Sequence, residues 1–432
     1  MTGELRGVPR VELVAPPLAL YLHLPWCRRK CPYCDFNSHV TETVPTARYV
    51  AALLAELARE AARVAGRSVS SVFLGGGTPS LFAPESIASL LSGVRARVEL
   101  ADDAEVTLEA NPGTLERGRF AGYRDAGVTR VSLGAQSFAQ RQLELLGRIH
   151  GPDDTRRAAV ELREAGLNNF NLDLMHGLPE QSVLGAVADV DQALALHPAH
   201  LSHYQLTIEP GTAFYRRPPP LPDEEVAGAA ETAAHKRLTH AGFERYEISA
   251  WARPGARCRH NLNYWEFGDY LGLGAGAHGK LTDMDRQCIW RTEKPRQPER
   301  YLSEVEAGHE PGTRLPVAPH DLPFEFMLNA LRLADGYSRE QFETRTGLAF
   351  ESVAPVVADQ ARRGLLSVLG STIAPTEFGW RFLNDVHLEY LPKAALRPEM
   401  AASRGRNLGP ATTLRAAGDG GVLHNEPAQT EN

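Results

Sequence analysis

Cysteine is scarce in this chain, with five in 432 residues, too few for the disulfide framework of a small secreted scaffold. Long apolar runs are missing as well: no uncharged stretch approaches the ~20 residues that a membrane-spanning helix needs. The N-terminus has no charged segment leading into a long apolar run, which argues against a secretory signal. Positive charge has no excess, since 46 Lys and Arg face 53 Asp and Glu for a net charge of −7, so a basic footprint for nucleic acid or anionic lipid is lacking. What remains is an ordinary globular composition, 43% hydrophobic and 23% charged, with length enough for two domains. These exclusions predict a soluble cytoplasmic protein with no nucleic-acid partner and no transmembrane segment.

What cysteine there is lies together. Cys27, Cys31 and Cys34 fall in the stretch Tyr21-Leu-His-Leu-Pro-Trp-Cys-Arg-Arg-Lys-Cys-Pro-Tyr-Cys-Asp-Phe36, a C-x3-C-x2-C spacing directly after an apolar run. A structural zinc site lacking a nearby fourth ligand, or a loop of unconnected thiols, is the plain alternative. Zinc ribbons, however, usually pair two C-x2-C knuckles, and the chain offers no second one. Three close thiolates without a fourth partner better fit an iron–sulfur cube with one iron left open. Metal-binding cysteines in such a cluster point to a reducing compartment. Cys258 and Cys288 stand apart and read as small buried hydrophobes.

Short apolar runs alternate with segments of helical period, the pattern of a parallel α/β sheet. Strands are predicted at Leu18–Leu24, Val69–Leu74, Glu105–Glu109, Arg130–Leu133, Asn169–Leu174 and His200–Leu206. Helices are predicted at Thr46–Val64, Pro84–Val98, Leu115–Ala126, Pro152–Ala165 and Val183–Leu196. Thr46 and Thr114 stand where N-caps belong, and Gly127 and Gly166 where helices would stop. Strands with crossover helices in this series suit a partial or full barrel better than two sheets, although periodicity does not separate an open sheet from a curved one. A polyproline break at 216–222 opens an extension reaching about residue 310,. A second break, at 310–319, precedes helical patterns at Leu322–Leu333, Ser338–Gly347 and Val353–Arg363, followed by Leu365–Leu369 and Phe378–Phe382. The domains expected are a segment over 1–16, a barrel unit with its extension over 17–310, a helical and winged unit over 311–396, and a tail over 397–432. The tail's Ala-, Gly-, Arg- and Asn-rich composition predicts disorder.

In parallel sheets ligands gather at the carboxyl ends of strands, and polar or glycine-rich motifs recur there. Gly75-Gly-Gly-Thr-Pro79 follows Val72-Phe-Leu74, and Glu109-Ala-Asn-Pro112 follows Val106-Thr-Leu108. Gly134-Ala-Gln-Ser-Phe138 follows Val131-Ser-Leu133, with Arg148 closing the next helix, and Asp173-Leu-Met-His-Gly-Leu-Pro179 follows Phe170-Asn-Leu172. Successive glycines let backbone N–H groups come close to a ligand. Any one motif could be an ordinary strand-end cap; the series, downstream of the cysteine loop, points to a site.

These motifs resemble the radical S-adenosylmethionine (SAM) superfamily, and within it the oxygen-independent coproporphyrinogen III oxidase-like branch, across roughly residues 18–390. In that branch the chain is most similar to the HemW-type heme chaperones. The resemblance implies an α/β fold with a six-stranded partial (β/α) barrel and a small, mainly helical C-terminal domain. It implies that Cys27, Cys31 and Cys34 hold a [4Fe–4S] cluster whose open iron takes the amino and carboxylate groups of SAM, with Tyr21 and Tyr33 beside it. Gly76, Gly77 and Thr78 would bind the methionine part of SAM, and Glu109, Gln136, Arg148 and Asp173 match positions that contact it. The residue types suit those roles: Arg or Glu can grip a carboxylate or ammonium, and Asp or Gln can bond ribose hydroxyls.

His260-Asn-Leu-Asn-Tyr-Trp265 matches an HNxxYW motif of the chaperone type. Imidazole is a common axial ligand of heme iron and Tyr also serves, so the resemblance assigns heme to His260, Tyr264 and Trp265. Anchoring of a loop by packing and hydrogen bonds is the plain alternative. Two departures separate the chain from the oxidases, which carry a further cysteine where this chain has Phe36, and a longer N-terminal segment than the 26 residues before Cys27. Leu271-Gly-Leu-Gly-Ala-Gly-Ala-His278 lacks dinucleotide spacing and reads as close backbone approach near the cluster. His23 reads as a buried structural histidine. Arg28-Arg-Lys30 reads as a solvated face or, alternatively, a docking patch for an acidic electron-donor protein. His176, His200, His203 and His278 receive no role. Three functions remain. The first is a heme chaperone with a cluster and exchangeable SAM that hands heme to an acceptor protein. The second is an oxidase whose 5′-deoxyadenosyl radical takes hydrogen from the propionate chains of coproporphyrinogen III. The third is a radical SAM methyltransferase using two SAM molecules. The motif at 260–265 favours the chaperone.

Overall fold

The apolar runs assemble into a twelve-stranded sheet. In the computed structural model, which describes residues 9–113 and 117–392, its centre is β1 (Leu18–Leu24), β2 (Val69–Gly76), β3 (Leu100–Ala110), β4 (Arg130–Gln136), β5 (Phe170–His176) and β6 (His200–Gln205). These pair in parallel in chain order. All the predicted strands form, and β2, β4 and β5 run past their apolar stretches into the polar motifs at their ends. Backbone pairing continues there without hydrophobic side chains, so periodicity did not report it. Every residue of β1 is buried, as expected of a strand covered on both faces. Leu20 and Leu22 join the core formed with Leu74, Leu108, Leu133 and Leu172, while the alternation of the strand turns Tyr21 and His23 to the opposite face.

Helices α1 (Thr46–Glu60), α2 (Pro84–Arg95), α3 (Phe120–Ala126), α4 (Gln140–Leu145), α5 (Pro152–Glu164) and α6 (Val183–Ala195) connect the parallel strands. Thr46 is not an N-cap: it is the first helical residue, the cap is Pro45, and no side chain caps the helix. The Thr46 hydroxyl instead donates back to Val44 O at 3.4 Å. Gly127 and Gly166 do stop their helices, with φ of +103° and +80°. Thr114, Leu115 and the tail from residue 397 lie outside the described residues.

Both edges of the parallel core carry strands that the sequence did not announce. Beside β6 lie β7 (Glu244–Arg245) and β8 (Ala250–Ala252), antiparallel. Beside β1 lies the parallel β9 (Asp269–Leu273), followed by the antiparallel β10 (His278–Asp283), β11 (Cys288–Glu293) and β12 (Thr313–Pro316). The order is therefore β12-β11-β10-β9-β1-β2-β3-β4-β5-β6-β8-β7. Buried ion pairs fasten this extension. Lys280 Nζ lies 3.0 Å from Asp269, Arg67 lies 2.8 Å from the same carboxylate, and Lys294 lies 2.8 Å from Glu56 on α1. Charges this far from water persist only when paired.

The extension also supplies α7 (Glu224–His240), α8 (Arg259–Trp265) and α9 (Pro298–Glu306). Because β12 still belongs to the large sheet, the helical unit begins beyond the 310–319 break. It comprises α10 (Leu322–Ala330), α11 (Arg339–Thr346), α12 (Ala354–Arg362), α13 (Glu377–Arg381) and α14 (Leu383–Leu388). An antiparallel three-stranded sheet of Tyr337–Ser338, Thr372–Pro375 and Leu366–Leu369 completes the winged form. The unit has its own core around Phe326, Phe342, Ile373 and Val386, into which Leu13 of the N-terminal segment inserts. No helix among the described residues is long and apolar enough to cross a membrane.

Candidate functional site

The carboxyl ends of the parallel strands, the cysteine loop, α7, α8 and the helical unit surround a cavity of about 2210 Å³. Every residue singled out above for cluster, SAM or heme lines it. Trp26–Cys27 pairs with His39–Val40 to close the cysteine loop. Arg28 Nη1 donates to Glu42 O at 2.7 Å, and Lys30 Nζ to Phe36 O at 3.0 Å and Ser38 O at 3.3 Å. These exposed cations thus brace the loop as well as face solvent. Among the described residues no three His, Cys, Asp or Glu side chains converge on a single ion. Thiols spread around a loop suit the separate irons of a cube better than one zinc. Burial pushes the Cys27 thiol up and the Cys34 thiol up to about 11, so metal binding must displace their protons.

A ring of hydrogen bonds joins the loop to the strand tips. Thr78 Oγ1 donates to Cys27 Sγ at 3.4 Å, and Asn111 Nδ2 donates to Thr78 Oγ1 at 2.9 Å. Arg148 closes the ring: it donates to Asn111 Oδ1, to Gly134 O at 2.8 Å and to Cys31 Sγ at 3.6 Å. Asn111 was not singled out from the sequence; its place in Glu109-Ala-Asn-Pro112 at a strand tip was the available signal. The end of β2 lies flush against the loop. A Cβ on Gly77 would sit 2.5 Å from Trp26 O, and Gly76 has φ +109°. Glu109 Oε2 accepts from Gly76 N at 3.2 Å.

Gln136 holds φ +67°, a left-handed conformation that costs a non-glycine residue free energy and recurs at functional sites. Tyr204, also missed, donates to its Oε1 at 2.8 Å. Asp173 accepts from Asn171 Nδ2 at 2.8 Å and Ser132 Oγ at 3.3 Å, yet burial still raises its pKa. Burial likewise holds the Tyr33 phenol far above its usual range. The hydroxyl of Tyr21 meets His23 Nδ1 at 3.0 Å, and His23 Nε2 meets Asn37 O at 2.9 Å, making His23 structural. Of the glycines of 271–278, Gly276 serves close approach to the cysteine loop, where a Cβ would sit 2.2 Å from Asn37 Nδ2, while Gly272 packs on His278 O and Gly274 on His23 O.

On α8, His260 is buried and both its ring nitrogens are engaged, Nδ1 with Ser71 Oγ at 3.0 Å and Nε2 with Tyr264 OH at 3.1 Å. Its ring stacks 5.0 Å from Phe73, and burial pushes its pKa down to about 3. The Arg332 guanidinium sits 4.4 Å over Trp265, and Tyr270 meets Tyr264 edge-on at 4.4 Å. The motif forms a wall of the cavity against the helical unit. Cys258 is a buried thiol donating to Glu105 at 3.5 Å.

An open parallel α/β sheet whose strand tips meet a three-cysteine loop over a large cavity defines a radical SAM protein. The family description for the radical SAM superfamily matches residues 21–190, and that for the HemN C-terminal domain matches 317–382. The heme chaperone HemW of Escherichia coli (strain K12) is 49% identical over 372 residues, covering 86% of this chain and 97% of its own. The heme chaperone HemW of Mycobacterium tuberculosis (strain ATCC 25618 / H37Rv) is 40% identical over 396 residues, covering 88% and 96%. The solved coproporphyrinogen III oxidase HemN of Escherichia coli superposes with a TM-score of 0.74 at 23% identity, covering 87% and 90%, which shows a shared fold. The chain belongs to the HemW heme chaperone family.

A radical SAM chain implies a [4Fe–4S] cluster and SAM, and the residues present fit both. Three thiols share one loop, Gly76 and Gly77 pack so closely on His23 and Trp26 that a Cβ at either would clash, and Glu109, Gln136, Arg148 and Asp173 line the same cavity. When bound, the cluster held by Cys27, Cys31 and Cys34 would supply an iron without a cysteine ligand.

Proposed function

We propose that this chain is a heme chaperone that takes heme into the cavity and passes it to an acceptor protein. Cys27, Cys31 and Cys34 hold the [4Fe–4S] cluster, with Tyr21 and Tyr33 beside it. Gly76, Gly77 and Thr78 receive the methionine part of SAM. Glu109 and Arg148 grip its charged groups, and Gln136 and Asp173 accept its ribose hydroxyls. Tyr264 and Trp265 wall the heme, and His260 fixes Tyr264 in place. The observation that carries this reading is the cavity. At about 2210 Å³ it exceeds the roughly 300–1,000 Å³ typical of one small ligand. It also runs from the cysteine loop past α8 to the helical unit, so SAM and heme share one chamber. The naming of its relatives as heme chaperones supports the same reading. The exposed Arg28, Arg29 and Lys30 suit an acidic electron donor, and the cytoplasm is the matching compartment.

The second reading is a coproporphyrinogen III oxidase, favoured by the fold shared with HemN and opposed by Phe36 in place of the oxidases' further cysteine. The test is an anaerobic heme titration of cluster-reconstituted protein followed by absorbance. Saturation near one heme per chain is expected. The absence of saturable binding, with decarboxylation of coproporphyrinogen III in its place, would overturn the chaperone in favour of the oxidase.

A further inference from the structure

The buried histidines of this fold divide into two groups. His23, His150, His200 and His260 all have ring nitrogens hydrogen-bonded: His150 to Ala135 O at 3.1 Å, His200 to Asn171 at 2.7 Å and Tyr246 at 2.8 Å, the others as described. His176, His203 and His235 differ. Nδ1 of His176, Nδ1 of His203 and Nε2 of the half-buried His235 have no hydrogen-bond partner, and the same holds for both ring nitrogens of the buried His387 on α14. A buried polar group left unpaired is costly, so His176, His203 and His235, which share one place, need an explanation.

They are in one place. His176 ends β5, His203 lies on the neighbouring β6, and His235 comes from α7 across the strand tips. The rings of His176 and His203 stack with centroids 4.5 Å apart, and His235 meets His203 edge-on at 5.6 Å. All three line the cavity. The titratable groups around them keep the imidazoles neutral. Burial is the main cause, reinforced by the Arg245 cation, and it pushes His176 down to about 4, His235 to about 3 and His203 well below its usual value. The nearest carboxylate, Glu231, is 3.9 Å from His235 Nε2. A neutral imidazole with an unused lone pair in a cavity wall is a metal ligand in waiting.

The geometry also says which metal chemistry fits. Among the described residues no three such side chains converge on a bare ion. A heme iron needs only one or two imidazoles on its axis, together with flat apolar walls and a cation for its propionates. Trp251, with its ring 5.0 Å from that of His235, and Trp380 both line the cavity. Arg245 lies 4.5 Å over Trp380, and its Nε is buried without a partner. By contrast, His260 could bind iron only by giving up its bond to Ser71 or Tyr264.

We propose that an imidazole of the His176–His203–His235 cluster, and not His260, ligates the heme iron, with Arg245 receiving a propionate. This rests on the heme-binding reading above. The experiment is heme titration of full-length, cluster-reconstituted protein carrying His176→Gln, His203→Gln or His235→Gln, substitutions that keep most of the volume and remove the ligand. Absorbance and electron paramagnetic resonance report the iron's ligation, and iron content and thermal unfolding confirm the fold. At least one variant should lose the wild-type ligation spectrum and bind heme about tenfold more weakly or worse, as loss of a metal-site partner does. Added imidazole should restore the spectrum in the corresponding His→Gly variant, which a purely structural histidine would not allow. If all three variants keep the wild-type spectrum and affinity, or if His260→Ala alone abolishes the spectrum, the cluster is not the ligand while the chaperone reading stands. If the wild type itself fails to bind heme saturably, both fall.

Discussion

Asn111 ties Thr78, beside the cysteine loop, to Arg148, and removing its side chain tests whether the polar ring organises the site proposed to receive SAM. In Asn111→Ala, Thr78 loses its donor at 2.9 Å and Arg148 loses a side-chain acceptor. The first bond is between neutral groups and contributes about 1 kcal/mol; the second involves a guanidinium and contributes about 1.5–3 kcal/mol. Arg148 keeps Gly134 O at 2.8 Å and Cys31 Sγ at 3.6 Å, so the combined loss should be about 2–4 kcal/mol. Urea unfolding of the apo protein under anaerobic conditions reads that loss directly. If about 2 kcal/mol of it falls on the arrangement that receives SAM, the dissociation constant for SAM rises about 30-fold, measurable by equilibrium dialysis. Asn111→Asp separates the two bonds: its carboxylate keeps Arg148 but offers Thr78 no donor, and the stability cost should shrink to about 1 kcal/mol. Stability and SAM affinity of Asn111→Ala both within about 0.5 kcal/mol of wild type, the scatter of neutral surface changes, would refute the reasoning.

Gly77→Ala should cost about 1–3 kcal/mol as an overpacked site, because the new Cβ would meet Trp26 backbone atoms at 2.5–2.7 Å that cannot swing aside. SAM binding should be lost with it, and a melt that matches wild type with SAM binding intact would remove the proposed SAM contact from this glycine. Asp189 gives a pH signature. Its carboxyl accepts from Phe138 N and Ser137 Oγ, each at 2.7 Å, yet burial pushes its pKa up from 3.8 to about 6. The fold therefore favours the protonated acid: this contribution is complete below the unfolded pKa and is lost as pH rises through about 6, an effect of about 3 kcal/mol. Asp189→Asn should flatten the stability profile between about pH 4 and pH 6 and be no less stable than wild type at neutral pH. Urea unfolding across that range checks it, and an unchanged slope counts against the assignment.

The parallel core was legible because each strand is a short apolar run covered on both faces, as in Leu18–Leu24. The flanking strands were not. Cys288–Glu293 mixes an arginine and a glutamate with its apolar residues, and the strands Asp269–Leu273 and His278–Asp283 carry charges, Asp269 and Lys280, that the fold buries 3.0 Å apart. In the site, the cysteines and the residues at the strand tips could be read because each ends an apolar run. Asn111 and Tyr204 are single polar residues whose partners lie on other strands, so only tertiary structure reveals them. His260 was visible as a residue, but not the Ser71 hydroxyl from β2 that occupies its Nδ1. His176, His203 and His235 come from β5, β6 and α7 and share no spacing that a motif could capture.

The cavity follows from the way the sheet ends. A closed barrel of parallel strands fills its interior with side chains. Here β1 is capped by β9 and β6 by β8, so the two edges that would meet are already paired, and α7, α8 and the helical unit cover the gap between them. The two sides of the chamber are consequently built by different means. On the side of the cysteine loop, the backbone sets the geometry: strand tips, close-packed glycines and a loop fastened by main-chain bonds such as Thr78 N to Trp26 O at 2.8 Å. On the other side, side chains from several distant segments converge, held by contacts such as Arg332 to Glu247 at 2.9 Å. Substituting a side chain on that wall leaves the backbone beside the cysteine loop in place. A His235→Gln variant, on α7, should therefore change heme binding while iron content and SAM binding persist, whereas His176 and His203 stand on β5 and β6 beside the cysteine loop, so for their variants iron content and SAM binding are measured alongside heme binding.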